Sequence, residues 1–234
     1  MENKLKLGFI GLGNRGSFLI QLIAANFRDV DIVAVCDVYK DRTDDAAEEV
    51  KKERGVLPKK YERAEDLLED EAINTVIISA SWEAHIPLAV AAMRAGKITG
   101  LEVGGAYALT DCWELVRTYE QTQTPFMFLE NCCFGRNELL ATGLVRNGVL
   151  GEVVYCHGAY GHDLREEICG GIQNRHYRLR NYLARDCDNY PTHELGPIAK
   201  ILNVNRGNRM VKLVSLSSKS RGLSSFANGK EEYV

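Results

Sequence analysis

Short apolar runs alternate with amphipathic segments along the first half of the chain. Leu5 to Ile10 is an apolar run of strand length that ends at a glycine, and Arg15 to Asn26 repeats apolar residues at helical spacing. The same alternation continues through strand-like runs at 31–36, 74–79, 98–103 and 126–130 and through helical segments at 41–53, 85–95 and 110–121. Strands that alternate with helices over short connections predict a parallel sheet covered by helices, an α/β architecture.

The pattern changes in the second half of the chain. Helices are predicted over 136–147 and 191–202, and strands over 152–160 and 210–217. Residues 163–189 are polar and rich in arginine and tyrosine, which is typical of a long functional loop with short helical pieces, and the last dozen residues are expected to be loosely ordered. We therefore expect a first domain over residues 1–135 and a partial, truncated α+β domain over residues 136–234. The incomplete sheet of that second domain could associate with another copy of the chain.

Composition excludes several classes of protein. The 234 residues carry 29 Lys+Arg and 32 Asp+Glu, a formal net charge of −3, so attraction to nucleic acid or to an anionic membrane is not expected. Apolar runs are far shorter than the roughly 20 residues of a membrane helix. Seven cysteines form no Cys-x-x-Cys pair, which favours reduced thiols over a disulfide framework or a structural zinc site. The chain opens without an apolar signal segment, so we expect a cytoplasmic protein with no bound metal.

Gly11, Gly13 and Gly16 form a Gly-x-Gly-x-x-Gly pattern between the first predicted strand and the first predicted helix. In a dinucleotide site, the first glycine permits a tight turn, the second lets the backbone approach the pyrophosphate, and the third lets helix and strand pack closely. The pyrophosphate then lies at the helix N-terminus, whose N–H groups attract an anion. Asp37, at the end of the second strand, can accept hydrogen bonds from both ribose hydroxyls and would repel a 2′-phosphate. These features predict a doubly wound, Rossmann-type domain with NAD, rather than NADP, as its cofactor.

Two further segments follow predicted strands whose carboxyl ends meet at the same crevice. Ser81 to His85 follows the third predicted strand, and Leu101 to Gly105 ends the fourth. Taken alone, His85 is better explained by a hydrogen bond at a helix start, and Trp82 by packing. Their position at the crevice gives equal weight to the alternative interpretation, in which both contact the cofactor.

Together these residues resemble the glucose–fructose oxidoreductase and inositol dehydrogenase superfamily. Members usually carry Glu-Lys-Pro after the fourth strand, and the lysine assists hydride transfer. Here the same place reads Glu102-Val103-Gly104. Because this chain lacks that lysine, the comparison with the superfamily argues against a standard sugar or polyol dehydrogenase.

Three motifs in the second half resemble glycoside hydrolase family 109, whose members are NAD-dependent α-N-acetylgalactosaminidases that likewise lack the lysine. The motifs are Leu129 to Phe134, Gly158 to Arg165 and Tyr190 to Pro197. The likeness covers nearly the whole chain, and family members continue well past the position at which this chain stops. The resemblance implies a glycan with terminal α-linked N-acetylgalactosamine as the substrate.

The resemblance also implies where the cofactor and the sugar bind. The implied cofactor contacts, besides the three glycines, are Asn14, Arg15, Asp37, Trp82, Glu83, Ala84, His85, Glu102, Val103 and Asn131. The implied sugar contacts are Tyr160, Arg178, Tyr190, Pro191, Thr192 and His193, with Arg180 as the alternative to Arg178.

Ordinary glycosidases flank the sugar with two carboxylates, and no such pair stands out in this sequence. The resemblance implies instead that hydride leaves C3 of the sugar for NAD, the C1 substituent is eliminated, water adds and the hydride returns. This route needs groups that titrate near neutral pH. We expect His193 as the chief acid/base, with Tyr190 beside it and Tyr160 orienting the substrate. Glu130 could bond a sugar hydroxyl or serve as a second base, and which group removes the C2 proton stays open.

Other interpretations of the same residues stay open as well. Because His193 stands at a predicted helix start, it could simply cap that helix. His162 and Asp163 could form a structural pair, and Cys132 with Cys133 is most simply two buried thiols. The chain could also be a sugar or polyol dehydrogenase, or an NAD-binding protein that is inactive because its second domain is short.

Overall fold

The computed structural model describes residues 4–171, 173–189 and 191–228. The chain divides into two compact units, Met1–Leu129 and Glu130–Val234. The domain boundary expected after residue 135 lies a few residues beyond this division and stays a prediction.

The first unit is built on a sheet of six parallel strands in the order β3-β2-β1-β4-β5-β6. The strands are β1 Leu5–Ile10, β2 Val30–Cys36, β3 Lys59–Tyr61, β4 Thr75–Ile78, β5 Ile98–Leu101 and β6 Phe126–Phe128. The helices between them are α1 Asn14–Asn26, α2 Lys40–Arg54, α3 Ala64–Glu69, α4 Trp82–Arg94 and α5 Leu109–Thr122. The strands and helices predicted in this half are present within a few residues, which confirms the doubly wound α/β fold.

Helices cover both faces of this sheet, because successive strand residues point to opposite sides. On one face, Phe9 of β1 lies in a buried cluster with Ile20 of α1 and Val50 of α2. On the other face, Ile10 lies in a buried cluster with Leu67 of α3 and with α4. Burial on both faces explains why the last four residues of β1, Leu7 to Ile10, carry no polar side chain on either face.

The strand order creates a ligand crevice at the centre of the sheet. β1 pairs with β2 on one side and with β4 on the other, so the connections that leave β1 and β4 run to opposite sides. Open α/β sheets bind their ligands at such a reversal, outside the carboxyl ends of the strands. The glycine-rich loop follows β1 and the Trp82 turn follows β4, so both predicted cofactor segments border this crevice.

Two elements of the first unit differ from the sequence prediction. The pattern missed β3 and α3, because β3 is a three-residue edge strand that contains two lysines and α3 is six residues long. α4 begins at Trp82, three residues before the predicted start at His85, and Ser81 precedes it in extended conformation.

The second unit is helical among the residues described. It contains a short 3-10 helix, Asn131–Phe134, followed by α6 Arg136–Arg146, α7 Arg165–Gly170, α8 Arg178–Ala184, α9 Thr192–Ile201 and α10 Gly222–Asn228. α10 extends into the last dozen residues, so the expectation of loose order there is wrong for residues 223–228. No helix in the described ranges of either unit combines the length and the apolar character needed to cross a bilayer.

The two strands predicted for the second unit are wrong. Residues 152–160 and 210–217 form no strand, and the described residues of this unit contain a single isolated bridge, Val204 to Asn208. Val154 and Leu216 are 91% and 94% exposed. β-branched and aromatic residues favour an extended backbone, but a strand also needs a hydrogen-bonded partner, and the described residues supply none here. The described residues of this unit contain no sheet through which two copies could associate, so self-association through a sheet edge stays a prediction.

Candidate functional site

The glycine-rich loop has the shape that a dinucleotide requires. Gly11 has φ +90°, and a Cβ at this position would collide with the backbone of Ala80. A Cβ at Gly16 would collide with the Gly11 carbonyl oxygen. At Gly13 a Cβ would meet, among the described residues, the Arg42 guanidinium alone, at 3.9 Å. The fold itself therefore demands the first and third glycines, whereas the second leaves the backbone open to a ligand.

Asp37 connects the end of β2 to the glycine-rich loop. Its Oδ2 accepts a 2.7 Å hydrogen bond from the Leu12 N–H, and its Oδ1 accepts one of 3.0 Å from the Tyr39 N–H. The Arg42 guanidinium lies 3.8 Å from the same carboxylate. Asp37 stands where the sequence predicts a ribose acceptor, and it also holds the loop that would surround the pyrophosphate.

Arg15 and Glu102, both predicted as cofactor contacts, contact each other. Arg15 Nε donates a 2.8 Å hydrogen bond to Glu102 Oε1, and only 6% of the Glu102 side chain is exposed. The ion pair joins the first turn of α1 to the end of β5. The backbone N–H of Val103 lies 3.4 Å from the other carboxylate oxygen, so this carboxylate orders both borders of the crevice.

Trp82 and His85 support the loop that follows β5. His85 is 2% exposed, and its ring nitrogens lie 3.2 Å from the Gly104 carbonyl oxygen and 3.0 Å from that of Ala80. Burial lowers the pKa of His85 despite these carbonyl contacts, so the ring is neutral at pH 7. A Cβ at Gly104, where φ is +87°, would lie 2.5 Å from the Trp82 indole nitrogen. His85 therefore makes the hydrogen bonds, and Trp82 the packing contacts, that a purely structural role would require. Glu83 and Ala84 lie between them in α4.

In the second unit, the central feature is a pair formed by Glu130 and His193. His193 Nδ1 lies 2.7 Å from Glu130 Oε1, and the two side chains are 9% and 7% exposed. Glu130 Oε1 also accepts a 2.9 Å hydrogen bond from the Cys132 N–H and so caps the 3-10 helix. A His–carboxylate pair fixes the ring orientation and places the imidazole proton on Nδ1, so that Nε2 is the basic nitrogen.

A small residue on α9 lets the two partners meet. His193, Gly196 and Lys200 follow at helical spacing on one face of the helix. A Cβ at Gly196 would lie 2.8 Å from the Cys133 sulfur and 3.0 Å from Glu130 Cγ. One turn further on, Lys200 Nζ donates a 2.8 Å hydrogen bond to the Cys133 carbonyl oxygen. Gly196 thus allows close approach, and Lys200 fixes α9 against the 3-10 helix.

Glu130 is charged at neutral pH despite its burial. Burial raises the pKa of this carboxyl, but Thr192, His193 and the Cys132 N–H outweigh that effect and hold the pKa below its ordinary value of 4.5. The Thr192 hydroxyl contributes through proximity, because neither it nor Glu130 Oε2 makes a well-formed hydrogen bond among the described residues.

Tyr160 and His162 stand next to this pair. The Tyr160 ring lies 4.4 Å, centroid to centroid, from the His193 ring, and its hydroxyl lies 3.1 Å from His162 Nε2. The alternative pairing of His162 with Asp163 is not formed, since Asp163 binds the Arg165 guanidinium at 2.6 Å. His162 therefore joins the candidate site, and its position two residues after Tyr160 in the same motif was the available signal.

Other predicted sugar contacts are dispersed or lie outside the description. Arg178, at the start of α8, lies 3.3 Å from Glu167 Oε1, which is also 3.0 Å from His176 Nε2. Arg180, the alternative, is exposed. Tyr190 lies outside the described residues. Pro191 precedes α9, Thr192 begins it beside Glu130, and Asn131, a predicted cofactor contact, opens the exposed start of the 3-10 helix.

The cysteines are thiols rather than cystines. All seven are free. Cys132 and Cys133 are half-buried rather than fully buried as predicted, and burial followed by the Glu130 charge raises the pKa of both thiols. Burial raises the pKa of Cys36, in β2, to about 12. These groups are protonated at neutral pH and are poor nucleophiles.

Comparison with known proteins agrees with this geometry. Residues 5–128 match the family described as "Oxidoreductase family, NAD-binding Rossmann fold". Residues 134–233 match the family described as "Glycosyl hydrolase 109, C-terminal domain". The chain therefore belongs to the oxidoreductase family with an NAD-binding Rossmann fold, and its second half is similar to the C-terminal domain of glycosyl hydrolase 109. The first unit is an NAD-binding domain.

Individual proteins are similar to this chain over nearly its whole length. A glycosyl hydrolase family 109 protein of Solibacter usitatus is 38% identical, over 97% of this chain and 53% of that relative. An α-N-acetylgalactosaminidase of Tannerella forsythia is 36% identical, over 98% of this chain and 55% of the relative. The chain spans about half the length of these relatives. A solved scyllo-inositol dehydrogenase of Lactobacillus casei with bound NAD(H) and scyllo-inositol is 21% identical, with a TM-score of 0.59 over 64% of this chain and 43% of that one, and shows the fold alone.

Proposed function

We propose that the protein is an NAD-dependent glycoside hydrolase that releases terminal α-linked N-acetylgalactosamine from glycans. The carrying observation is the 2.7 Å Glu130–His193 pair beside Tyr160, in a unit that matches a glycosyl hydrolase 109 domain. The NAD-binding domain and the names of the Tannerella forsythia and Solibacter usitatus relatives support the same reaction.

The residues of the first unit fit the cofactor. NAD, when bound, supplies the hydride acceptor and donor for C3 of the sugar. The open backbone at Gly13 suits a pyrophosphate, and Asp37 suits an adenosine ribose. Arg15 and Glu102 hold the two borders of the crevice at a fixed distance. Val103 stands in place of the lysine of sugar dehydrogenases, which favours a reaction without net oxidation.

The residues of the second unit suit the proton transfers. A ketone at C3 of the sugar acidifies the C2 proton, a base removes that proton, the C1 substituent departs, and water adds at C1 as the proton returns to C2. His193 is the group we propose for proton transfer, with Nδ1–H directed at Glu130 and Nε2 as the basic nitrogen. The Glu130 carboxylate stabilises the imidazolium that forms. Tyr160 orients the sugar against the His193 ring.

The experiment that tests this function follows two products at once. The protein is incubated with an aryl α-N-acetylgalactosaminide, and the released phenol and the NADH absorbance are recorded together. We expect catalytic release of phenol without accumulation of NADH. In a parallel assay with free sugar and NAD, NADH formed in step with consumption of the sugar would identify a dehydrogenase instead. Tight NAD binding without turnover of the aryl glycoside or the free sugar would identify an inactive cofactor-binding chain. A cytoplasmic location and self-association stay predictions of the sequence.

A further inference from the structure

We propose that Glu130, Cys132 and His193 form a binding site for a thiophilic divalent cation, with Zn²⁺ as the favoured ion. Each residue offers one ligand atom, and the three atoms lie within 4.8 Å of one another. No Cys-x-x-Cys pattern marks this site, because Glu130 precedes the 3-10 helix, Cys132 lies in it, and His193 lies on α9, far away in the sequence.

The carboxylate of Glu130 has a coordination position to offer. The side chain is 7% exposed, and its Oε2 is buried without a well-formed hydrogen bond among the described residues, although the Thr192 hydroxyl lies nearby. A buried, charged oxygen that lacks a well-formed hydrogen bond is unfavourable in a protein interior, and a cation can satisfy it. This atom is an independent indication of a ligand beside the three-residue group.

The ligand set selects the ion. One thiolate, one imidazole and one carboxylate, with water in the fourth position, is a tetrahedral set typical of Zn²⁺. The sulfur disfavours Mg²⁺ and Ca²⁺, which prefer oxygen ligands. On coordination, the Cys132 S–H bond is replaced by a bond from sulfur to metal and its proton passes to solvent. The proton on His193 Nδ1 moves to Nε2, so that Nδ1 can bind the ion.

The scaffold holds these ligands in place before an ion arrives. The Cys132 N–H donates to Glu130 Oε1 at 2.9 Å, which sets the start of the 3-10 helix. Gly196 and Lys200 hold α9, with His193, against that helix. The adjacent thiol, Cys133, packs against Gly196 and is absent from the three-residue group. Cys133 therefore provides a matched control for Cys132.

A bound cation would also affect the proposed reaction. Because it occupies His193 Nδ1, it removes the proton that this nitrogen donates to Glu130 and separates the acid/base pair. Thiophilic cations should then inhibit hydrolysis. This consequence rests on the proposed function, whereas the binding of the ion does not.

Optical titration of the full chain with Co²⁺ tests the site without any activity assay. The protein is freed of metal and kept reduced with a phosphine, and thiolate-to-cobalt charge transfer is recorded in the wild type, Cys132→Ser and Cys133→Ser. We expect a band that saturates at one Co²⁺ per chain, disappears on addition of Zn²⁺, is lost in Cys132→Ser and is kept in Cys133→Ser. Retained NAD binding verifies that each variant is folded.

Two results would overturn the site: no thiolate band in the wild type, or a band that persists in Cys132→Ser. The Zn²⁺ affinity, measured by competition with a chromophoric chelator, should fall more than about 100-fold in His193→Gln, since even residues that orient a metal ligand are worth 10- to 100-fold. An affinity unchanged in that variant would also exclude the site. A cobalt band in a protein that hydrolyses no glycoside would refute the proposed function alone, and hydrolysis without a band would refute the metal site alone.

Discussion

Glu130 and His193, 63 residues apart in the sequence, are joined by a 2.7 Å contact between Oε1 and Nδ1 in the second unit of the chain. Both side chains are more than nine-tenths buried. The carboxylate fixes the orientation of the imidazole, and a fixed orientation is what the proton transfers proposed for His193 require.

Replacement of His193 should remove turnover without removing the cofactor. Positioned general acid–base groups contribute about 10²- to 10⁴-fold, so we expect His193→Ala to lower kcat by that factor. NAD affinity should stay at the wild-type value, because the predicted contacts of the dinucleotide are almost all in the first unit. Phenol release and NAD titration measure the two effects. His157→Ala, at an exposed histidine, is the control, and equal losses in both variants would contradict the role of His193.

The charge on Glu130 should stabilise the protein in a defined pH range. Because the pKa of this carboxyl in the folded protein lies below its ordinary value of 4.5, its stabilising contribution is complete above pH 4.5 and is lost as the pH falls through the lowered pKa. Glu130→Gln should therefore reduce the free energy of unfolding at pH 7 by about 1–3 kcal/mol, and the difference should shrink in acid. Urea unfolding of both proteins from pH 7 to pH 3 measures this. A difference that grows in acid would reverse the assigned sign.

Gly196 should be intolerant of the smallest enlargement. Alanine normally stabilises a helix interior relative to glycine by about 0.5–1 kcal/mol. Here the added Cβ would lie 2.8 Å from the Cys133 sulfur, so Gly196→Ala should destabilise by about 1–3 kcal/mol and lower the rate of hydrolysis.

Gly143, in the interior of α6, is the matched control for Gly196. A Cβ there meets none of the described residues within 4 Å, so Gly143→Ala should stabilise the protein slightly. The midpoints of thermal unfolding of the two variants, each compared with the wild type, measure these opposite effects. The same small gain in both would mean that α9 and the 3-10 helix are not closely packed.

Asp37 should affect both cofactor binding and the order of the glycine-rich loop. Its two carboxylate oxygens accept hydrogen bonds from the N–H groups of Leu12 and Tyr39, and an amide can accept at one oxygen only. We expect Asp37→Asn to weaken NAD binding about tenfold or more, the equivalent of one charged hydrogen bond. Calorimetric titration with NAD measures the change. Asp45→Asn, the same substitution at an exposed position of α2, should leave the affinity unchanged, and an unchanged affinity in Asp37→Asn would place the ribose elsewhere.

The sequence predicts the first unit well because its signals are local. β1 ends in an apolar run, Leu7 to Ile10, because Phe9 and Ile10 are buried on opposite faces, and the glycine pattern follows it at once. β3 escapes this kind of prediction, since its register is determined by pairing with β2 rather than by its own residues, two of which are lysines. Trp82 belongs to α4 for a tertiary reason, because its indole packs against the Gly104 turn.

The second unit shows where local signals stop being sufficient. Val154 and Leu216 lie in segments with strand-like composition, yet both are exposed and neither segment is paired among the described residues. The motifs identify His193 and Glu130 separately. Their pairing depends on Gly196, whose role is visible only once α9 lies on the 3-10 helix.

The most direct test of the central claim is hydrolysis of an aryl α-N-acetylgalactosaminide in heavy water, with the released sugar analysed by mass spectrometry and NMR. An elimination removes the C2 proton and returns one from solvent, so we predict released N-acetylgalactosamine with one deuterium at C2 and no net change in NAD. Released sugar that retains hydrogen at C2 would show direct displacement at C1 and would contradict the account.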